Sequence, residues 1–423
     1  MKNIRILISI ALLCCSGLSN ADVLFTNVKI VTGNQAEAIV ADVLVSGNTI
    51  ARIATQISAP EGVERINGSG KVLTAGFFNS HTQIGMTEVG AVANTRDYAS
   101  ENSRITASLM VSDAINPSSV LIPHNRMLGL SHALVQPDSD AGLFAGTAAI
   151  IQLTETDTIV VNAAAMVVKL GAQGKGIAGG SRAAAMAQLR EAFEDARDYR
   201  ANRDSFNRGN RRDYQLSRHD LAALIPVLQR RIPLLVHVDR AVDIVRVVEF
   251  ASKNNLKLII AGAEEGWRVA DVLAKNKVPV IIDPIANLPS SYDTLGARLD
   301  NAKLLDDAGV TLLFTGMSWH NTHNAYLVRQ SAGNAVANGL SYQTAIQALT
   351  SNPAKVFGLK NLGEVKPGAE ANLVLWSADP LEPSTVVEKV LIKGVDQPLI
   401  SRATRLRDRY FSRLKVALSD TSN

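Results

Sequence analysis

Short apolar runs separated by helical patterns fill the middle of the chain, and β-rich stretches flank that middle on both sides. Eight runs read as strands: 73–78, 131–136, 147–153, 165–170, 233–238, 257–262, 278–283 and 310–316. Amphipathic patterns between them predict helices over 182–199, 241–254, 267–275 and 299–308. Strand and helix alternating over about 250–300 residues argue for the α/β class and a (β/α)8 TIM barrel. On the amino-terminal side, 41–45 and 49–53 are β-rich around a hairpin turn at Ser46-Gly47-Asn48. On the carboxy-terminal side, 372–376 and 386–393 read as strands after a turn at 363–368. Two such flanks predict a small β-sandwich domain formed from both termini. The predicted division is 1–21 leader, 22–70 first part of the sandwich, 71–362 barrel, 363–400 second part of the sandwich, and 401–423 C-terminal helix and tail.

One stretch carries the candidate chemistry. Residues 72–85 read V-L-T-A-G-F-F-N-S-H-T-Q-I-G, an apolar strand running into a polar cluster. Alternation places Asn79, His81 and Gln83 on one side of the strand end. In a parallel barrel that end is where catalytic groups sit. The stretch resembles the first barrel strand of the metal-dependent amidohydrolases, a superfamily that includes imidazolonepropionase-like and periplasmic amidohydrolases. That strand ends Pro-Gly-hydrophobic-hydrophobic-Asp-x-His-x-His. Here Ala75 stands for the Pro, Asn79 for the Asp and Gln83 for the second His, while Gly76 and His81 are kept. The resemblance extends to G-x-x-x-P-G-x-x-A-N-L-V-L-W at 363–376 and to Thr350-x-Asn352-Pro353-Ala354. It implies the same barrel and sandwich, supports the count of eight strands, and implies hydrolysis of carbon–nitrogen bonds other than peptide bonds.

The resemblance also implies a divalent metal, which lowers the pKa of bound water to about 7. Relatives hold it with the first-strand His pair, a Lys or Glu near strands three and four, a His after strands five and six, and an Asp after strand eight. Here His81 and His237 are the candidate metal ligands, with zinc the candidate ion. Lys169 is kept where some relatives carry a carboxylated lysine, but Ala172 stands at the neighbouring Glu position. Ala263-Glu264-Glu265-Gly266 after strand six offers no His, and Thr315-Gly316-Met317-Ser318 after strand eight no Asp. Zinc takes three or four ligands, so a third would have to come from Gln83, Glu264, Glu265 or His320 in a departure from the family layout. The candidate ligand-binding set is His81, Gln83, Lys169, His237, Glu264 and His320, and the catalytic candidates are His237, His320 and Lys169. His320 and His323 read either as substrate donors at the barrel mouth or as polar loop residues before the next helix. His124, His132 and His219 read as structural, and Asp283 as a turn cap or a pocket residue.

The chain has 423 residues, 47% hydrophobic, enough for one large domain and a smaller one. Its net charge of +4 is too mild to imply nucleic acid or an anionic membrane as partner. Residues 1–21 read as a secretory signal peptide: Lys2 and Arg5, an apolar run over 6–15, then small residues to Ala21. The expected location is the periplasm or outside the cell, with no membrane span after cleavage. Both cysteines, Cys14 and Cys15, lie in this leader, which leaves the mature chain without a thiol. The Gly-rich run 171–180 reads as a mobile loop at the barrel mouth, and the arginine-rich stretch 197–218 as a solvated helix extension. Residues 404–418 predict an amphipathic helix docked on the protein's own surface.

Three functions follow. The first is an exported amidohydrolase-superfamily protein with an eroded metal site, which binds a small amide or peptide-like ligand with weak or no hydrolysis. The second is an active hydrolase of non-peptide C–N bonds with a rearranged mononuclear site. The third is a non-catalytic scaffold with its mouth plugged by Phe77, Met317 and Trp319. A small-molecule ligand is the expected partner, and homo-oligomers recur among relatives.

Overall fold

The computed structural model describes residues 22–33, 38–316 and 321–420. The predicted leader therefore lies outside the described residues, as do His320, Met317 and Trp319. Five strands open the chain: β1 Val23–Ile30, β2 Ile39–Ser46, β3 Thr49–Ala54, β4 Glu64–Asn67 and β5 Val72–Ala75. Eight follow as a second sheet: β6 Phe77–Thr82, β7 Leu130–Val135, β8 Phe144–Gln152, β9 Ile159–Lys169, β10 Leu234–Val238, β11 Leu258–Gly262, β12 Val280–Ile282 and β13 Leu312–Phe314. The chain returns to the first sheet through β14 Leu373–Trp376, β15 Val387–Ile392 and β16 Val395–Asp396. The first sheet has the order β16-β15-β14-β5-β1-β2-β3, with β4 beside β1, so both ends of the described chain build it. The second runs β13 through β6 in sequence order and curls into the expected barrel.

Two details depart from expectation. The predicted run 73–78 is two strands. Val72–Ala75 pairs with β14 in the first sheet, and Phe77–Thr82 pairs with β7 in the barrel. Gly76 is the joint, and a Cβ there would lie 2.4 Å from the Ser131 side chain. In addition, β8 runs antiparallel to both neighbours, while the remaining neighbouring pairs in the barrel are parallel. A parallel crossover needs about a dozen residues or more, and the segments before and after β8 are too short for one. The hairpin after it is held by Gln152 Nε2 donating to Asp157 O at 2.7 Å, with Asp157 at φ 49°.

Between β13 and β6 the barrel is joined by side chains. Thr315 Oγ1 lies 3.1 Å from Asn79 Oδ1 and 3.0 Å from His81 O, and Asn79 Nδ2 donates to Ala325 O at 2.9 Å. The interior is filled at its lower levels by Phe78, Leu134, Val167, Leu235, Ile259 and Leu313. Outward positions such as Phe77, Met166 and Val236 pack beneath the surrounding helices. Trp376 links the two sheets: its ring centroid is 5.2 Å from that of Phe77, and its Nε1 donates to Thr74 Oγ1.

The Gly-rich run is a helix, Gly171–Ile177, rather than a loop. Gly174 serves close packing, since a Cβ there would sit 2.5 Å from Lys169 O. The arginine-rich stretch begins within helix Arg182–Ala201, capped by Ser181. Arg212 pairs with the buried Asp195 and lies 5.4 Å from the Tyr214 ring centroid, so part of this charge is used internally. On the terminal helix Arg402–Asp420, Tyr410, Phe411 and Leu414 are 58%, 55% and 54% exposed. Among the described residues no helix is long and apolar enough to cross a membrane.

Candidate functional site

Side chains two residues apart on a strand share a face. The apolar level made by Leu134, Val167, Leu235, Ile281 and Leu313 therefore fixes what stands above it. The next inward positions are Gln136, Lys169, His237, Asp283 and Thr315. On β6 the register shifts between Asn79 and Thr82. This irregularity leaves Asn79 buried in the seam and brings His81 to the mouth, where its ring centroid is 5.1 Å from that of His237 at an angle of 65°. The His81 N–H donates to Asn79 Oδ1, and Asn321 Nδ2 donates to the His81 carbonyl.

The ring nitrogens of His237 can be told apart by their surroundings. Gln136 Nε2 donates to Ser80 O at 2.9 Å, which leaves Gln136 Oε1 as an acceptor. His237 Nε2 lies 2.8 Å from that oxygen and therefore carries the proton. In this tautomer the free lone pair of His237 is on Nδ1.

Beside the two imidazoles stands an ion pair. Lys169 Nζ is 3.0 Å from Asp138 Oδ1, with the lysine side chain 6% exposed and the aspartate 39%. Burial pushes the Asp138 carboxyl up, but Lys169 and hydrogen bonds from Ser139 N and Gln173 outweigh it and hold the group below its usual range. Burial, and then the Lys169 charge, lower His81 to about 4 against the opposing pull of Asp138. Burial, Lys169 and His81, in that order, hold His237 well below its ordinary value. Both rings are neutral at pH 7.

An acidic group crowns the next three strands. Burial, with Asp239 and Asp283 nearby, raises Glu264 to about 7. Burial, with Asp293 and Glu265, raises Asp239 to about 6 despite the hydrogen bond it accepts from the Glu264 backbone. Glu264 Oε2 is buried and has no hydrogen-bond partner among the described residues. Glu265 is structural, accepting from Ala241 N and Gly296 N. Asp283 Oδ1 accepts from Ile285 N at 3.3 Å, the turn-capping role.

The structure thus brings together His81, His237 and Lys169, and groups Glu264 with Asp239 and Asp283 at the tips of the next strands. Gln83 lies just past β6, its backbone N–H 3.3 Å from Thr322 Oγ1. His323 Nε2 faces Glu88 O at 3.3 Å. His132 is buried at the start of β7, stacked on Phe78 and 2.9 Å from Ser131 Oγ. Phe77 faces outward to Trp376 and does not plug the mouth. Among the described residues no three His, Cys, Asp or Glu side chains are gathered so as to hold a metal ion. Gln136 and Asp138 are additions that sequence reasoning passed over, although the predicted strand 131–136 ended on Gln136 and tip positions face the mouth.

The mouth therefore offers an ammonium donor and two neutral imidazoles, with a carboxyl titrating near neutrality in the neighbouring acidic group. Such a set suits a carbonyl oxygen and the N–H beside it.

Comparison with known proteins adds a second line. Residues 268–395 match the sequence model of the amidohydrolase family. Amidohydrolase tasK of Hapsidospora irregularis is 22% identical over 391 residues, which cover 84% of this chain and 40% of that protein. The chain thus spans about two fifths of the length of that curated relative. Among solved structures, an amidohydrolase from Thermotoga maritima superposes with a TM-score of 0.80 at 24% identity, covering 90% of this chain and 100% of the other. Molinate hydrolase gives 0.57 at 16% identity, covering 90% and 95%. A zinc-bound adenosine deaminase from Xanthomonas campestris gives 0.52 at 15%, covering 94% and 99%. At these identities the structural likeness speaks for the fold.

Proposed function

Because the chain belongs to the amidohydrolase superfamily, we propose that it is an exported member which has kept the substrate pocket and lost the metal centre. It binds a small amide or peptide-like ligand, with weak or no hydrolysis. The observation that carries this reading is the Gln136–His237 hydrogen bond beside the Lys169–Asp138 pair. A zinc site needs three or four ligands. Here His237 offers only its Nδ1, His81 is the other imidazole, a buried ammonium stands beside them, and among the described residues no third His, Cys, Asp or Glu side chain joins them. The family's metal therefore does not fit the described side chains, and no step is routed through it. Lys169 would donate to the ligand carbonyl, His81 would accept from the amide N–H, and Glu264 would donate through its retained proton.

Export rests on the pattern of residues 1–21, with Lys2 and Arg5, an apolar run over 6–15 and small residues to Ala21. Mass spectrometry of protein recovered from a bacterial periplasm should give an amino terminus at Asp22. An intact Met1 in the cytoplasmic fraction would refute export.

Elemental analysis of protein purified without chelators tests the metal claim. We expect far less than one zinc per chain, with no change in His81→Ala or His237→Ala. Near-stoichiometric zinc that falls in both variants would overturn the reading in favour of a rearranged mononuclear hydrolase. Thermal shifts with small amides, dipeptides and cyclic imides test the pocket. A stabilising compound should lose its effect in Lys169→Met, and a shift that persists there would exclude the assigned donor.

A further inference from the structure

The other end of the barrel carries a cavity that the reading above does not use. It measures about 720 Å³ and opens between the starts of β9, β10, β11 and β12 and the ends of the helices Arg218–Leu228, Ala241–Lys253, Ala270–Lys275 and Ser351–Phe357. That volume falls within the range of about 300–1,000 Å³ typical of small-molecule sites. Val248, Leu256, Ile259, Val356 and Phe357 supply apolar surface. Five cations line it as well: Arg230, Arg231, Lys257, Lys277 and Lys355, with no carboxylate among the lining residues.

This charge is more than the helix ends require. A helix C-terminus carries about half an elementary negative charge, so four such ends offset about two of the five cations. Among the described residues none of the five is in an ion pair. Arg230 is also fixed in place, since its Nη1 donates to Asn255 O at 2.9 Å and to Asn255 Oδ1 at 2.8 Å. Arg230, Asn255 and Lys277 all hold positive φ, of 56°, 53° and 51°. Non-glycine residues there carry backbone strain of about 1–3 kcal/mol each, and in this cavity the strained positions are where two of the cations are mounted.

We infer that this cavity binds a small organic polyanion: an apolar or aromatic body set against the Val248–Phe357 surface, with two or more negative charges held by the cationic rim. Lysine-rich rims favour clustered phosphate-type charge, which an ammonium meets as a point charge from any direction. The site lies at the far end of the strands from His81 and His237, so it stands or falls independently of the function proposed above.

Titration calorimetry on the full chain with ATP as probe tests this at low salt and at physiological ionic strength. One saturable site is expected, weakening as salt rises. Adenosine lacks the charge and pyrophosphate the body, so each should bind about tenfold more weakly or worse. The double variant Lys257→Glu/Lys277→Glu should also lose about tenfold or more in affinity. Both side chains are exposed, so its melting temperature should match wild type. His81→Ala/His237→Ala should bind ATP as wild type does. Absence of a saturable signal at millimolar ATP would overturn the inference. So would ATP affinity unchanged by the charge reversal, pyrophosphate binding as tightly as ATP, or loss of ATP binding in the histidine variant.

Discussion

Replacing Lys169 with Met keeps the aliphatic stem and deletes the ammonium beside the two imidazoles. Depression of His81 from 6.5 to about 4 corresponds to about 3 kcal/mol of preference for the neutral ring. Burial is the larger cause and Lys169 the next, so the variant ring should titrate above 4 and still below 6.5. The stability cost should be small. Asp138 is 39% exposed and keeps its bonds from Ser139 N and Gln173, so loss of its partner should cost about 1 kcal/mol or less. A fully buried pair would cost about 3–5 kcal/mol. Imidazole proton resonances followed from pH 3 to 8, with His81→Gln for assignment, give the first quantity, and urea unfolding at pH 7 gives the second. A His81 midpoint that stays at about 4 would refute the electrostatic account. Loss of several kcal/mol would mean that the pair is a structural staple.

Other substitutions probe separate parts of the molecule. Burial, then Lys393, lowers His132 to about 3 in the fold against 6.5 unfolded. The native state therefore binds fewer protons between those values, and its stability is fully present above pH 6.5 and lost as pH falls towards 3. Between pH 7 and 4.5, wild type should lose about 2–3 kcal/mol more than His132→Phe in urea titrations. Gln136→Met strands Ser80 O and the His237 Nε2 proton, and should cost about 2–4 kcal/mol in the same assay. Arg329, 5% exposed, donates to the carbonyls of Pro380, Glu382, Pro383 and Thr385 and lies 5.3 Å from the Trp376 ring centroid. Arg329→Met should lower unfolding stability by about 3–5 kcal/mol.

The barrel strands were legible because each is a short apolar run bounded by turn residues, and their inward level repeats every second position. The reversal of β8 was legible in principle, since too few residues separate the predicted runs 131–136 and 147–153 for a crossover. The split at Gly76 was not, because an unbroken apolar run does not announce a change of sheet. Gly171–Ile177 reads as a loop because four glycines over 171–179 satisfy a loop's composition, and the close approach of Gly174 to Lys169 O appears only once the chain is folded. The site was half legible for a similar reason. His81, Lys169 and His237 stand at strand ends that the resemblance singles out. Gln136 and Asp138 matter only through partners about 30 and 100 residues away, which no local pattern encodes.

The charge arithmetic of the mouth leads to a last prediction. Zinc in a complete four-ligand structural site gains about 10–16 kcal/mol at neutral pH. Two imidazoles would supply about half of that. A divalent ion about 5 Å from an ammonium, at an effective dielectric near 20, is repelled by about 7 kcal/mol. The repulsion is comparable to the gain, but Asp138, 3.0 Å from Lys169 Nζ, attracts the ion and offsets part of it, so the resident cation weakens metal binding rather than deciding it alone. Deleting it should then raise zinc affinity even though Lys169→Met adds no ligand. Competition against a chromophoric chelator at pH 7 measures the change, and the raised affinity should disappear again in Lys169→Met/His237→Ala. Equal zinc affinity in wild type and Lys169→Met would mean that the missing ligands, rather than the resident cation, decide the matter.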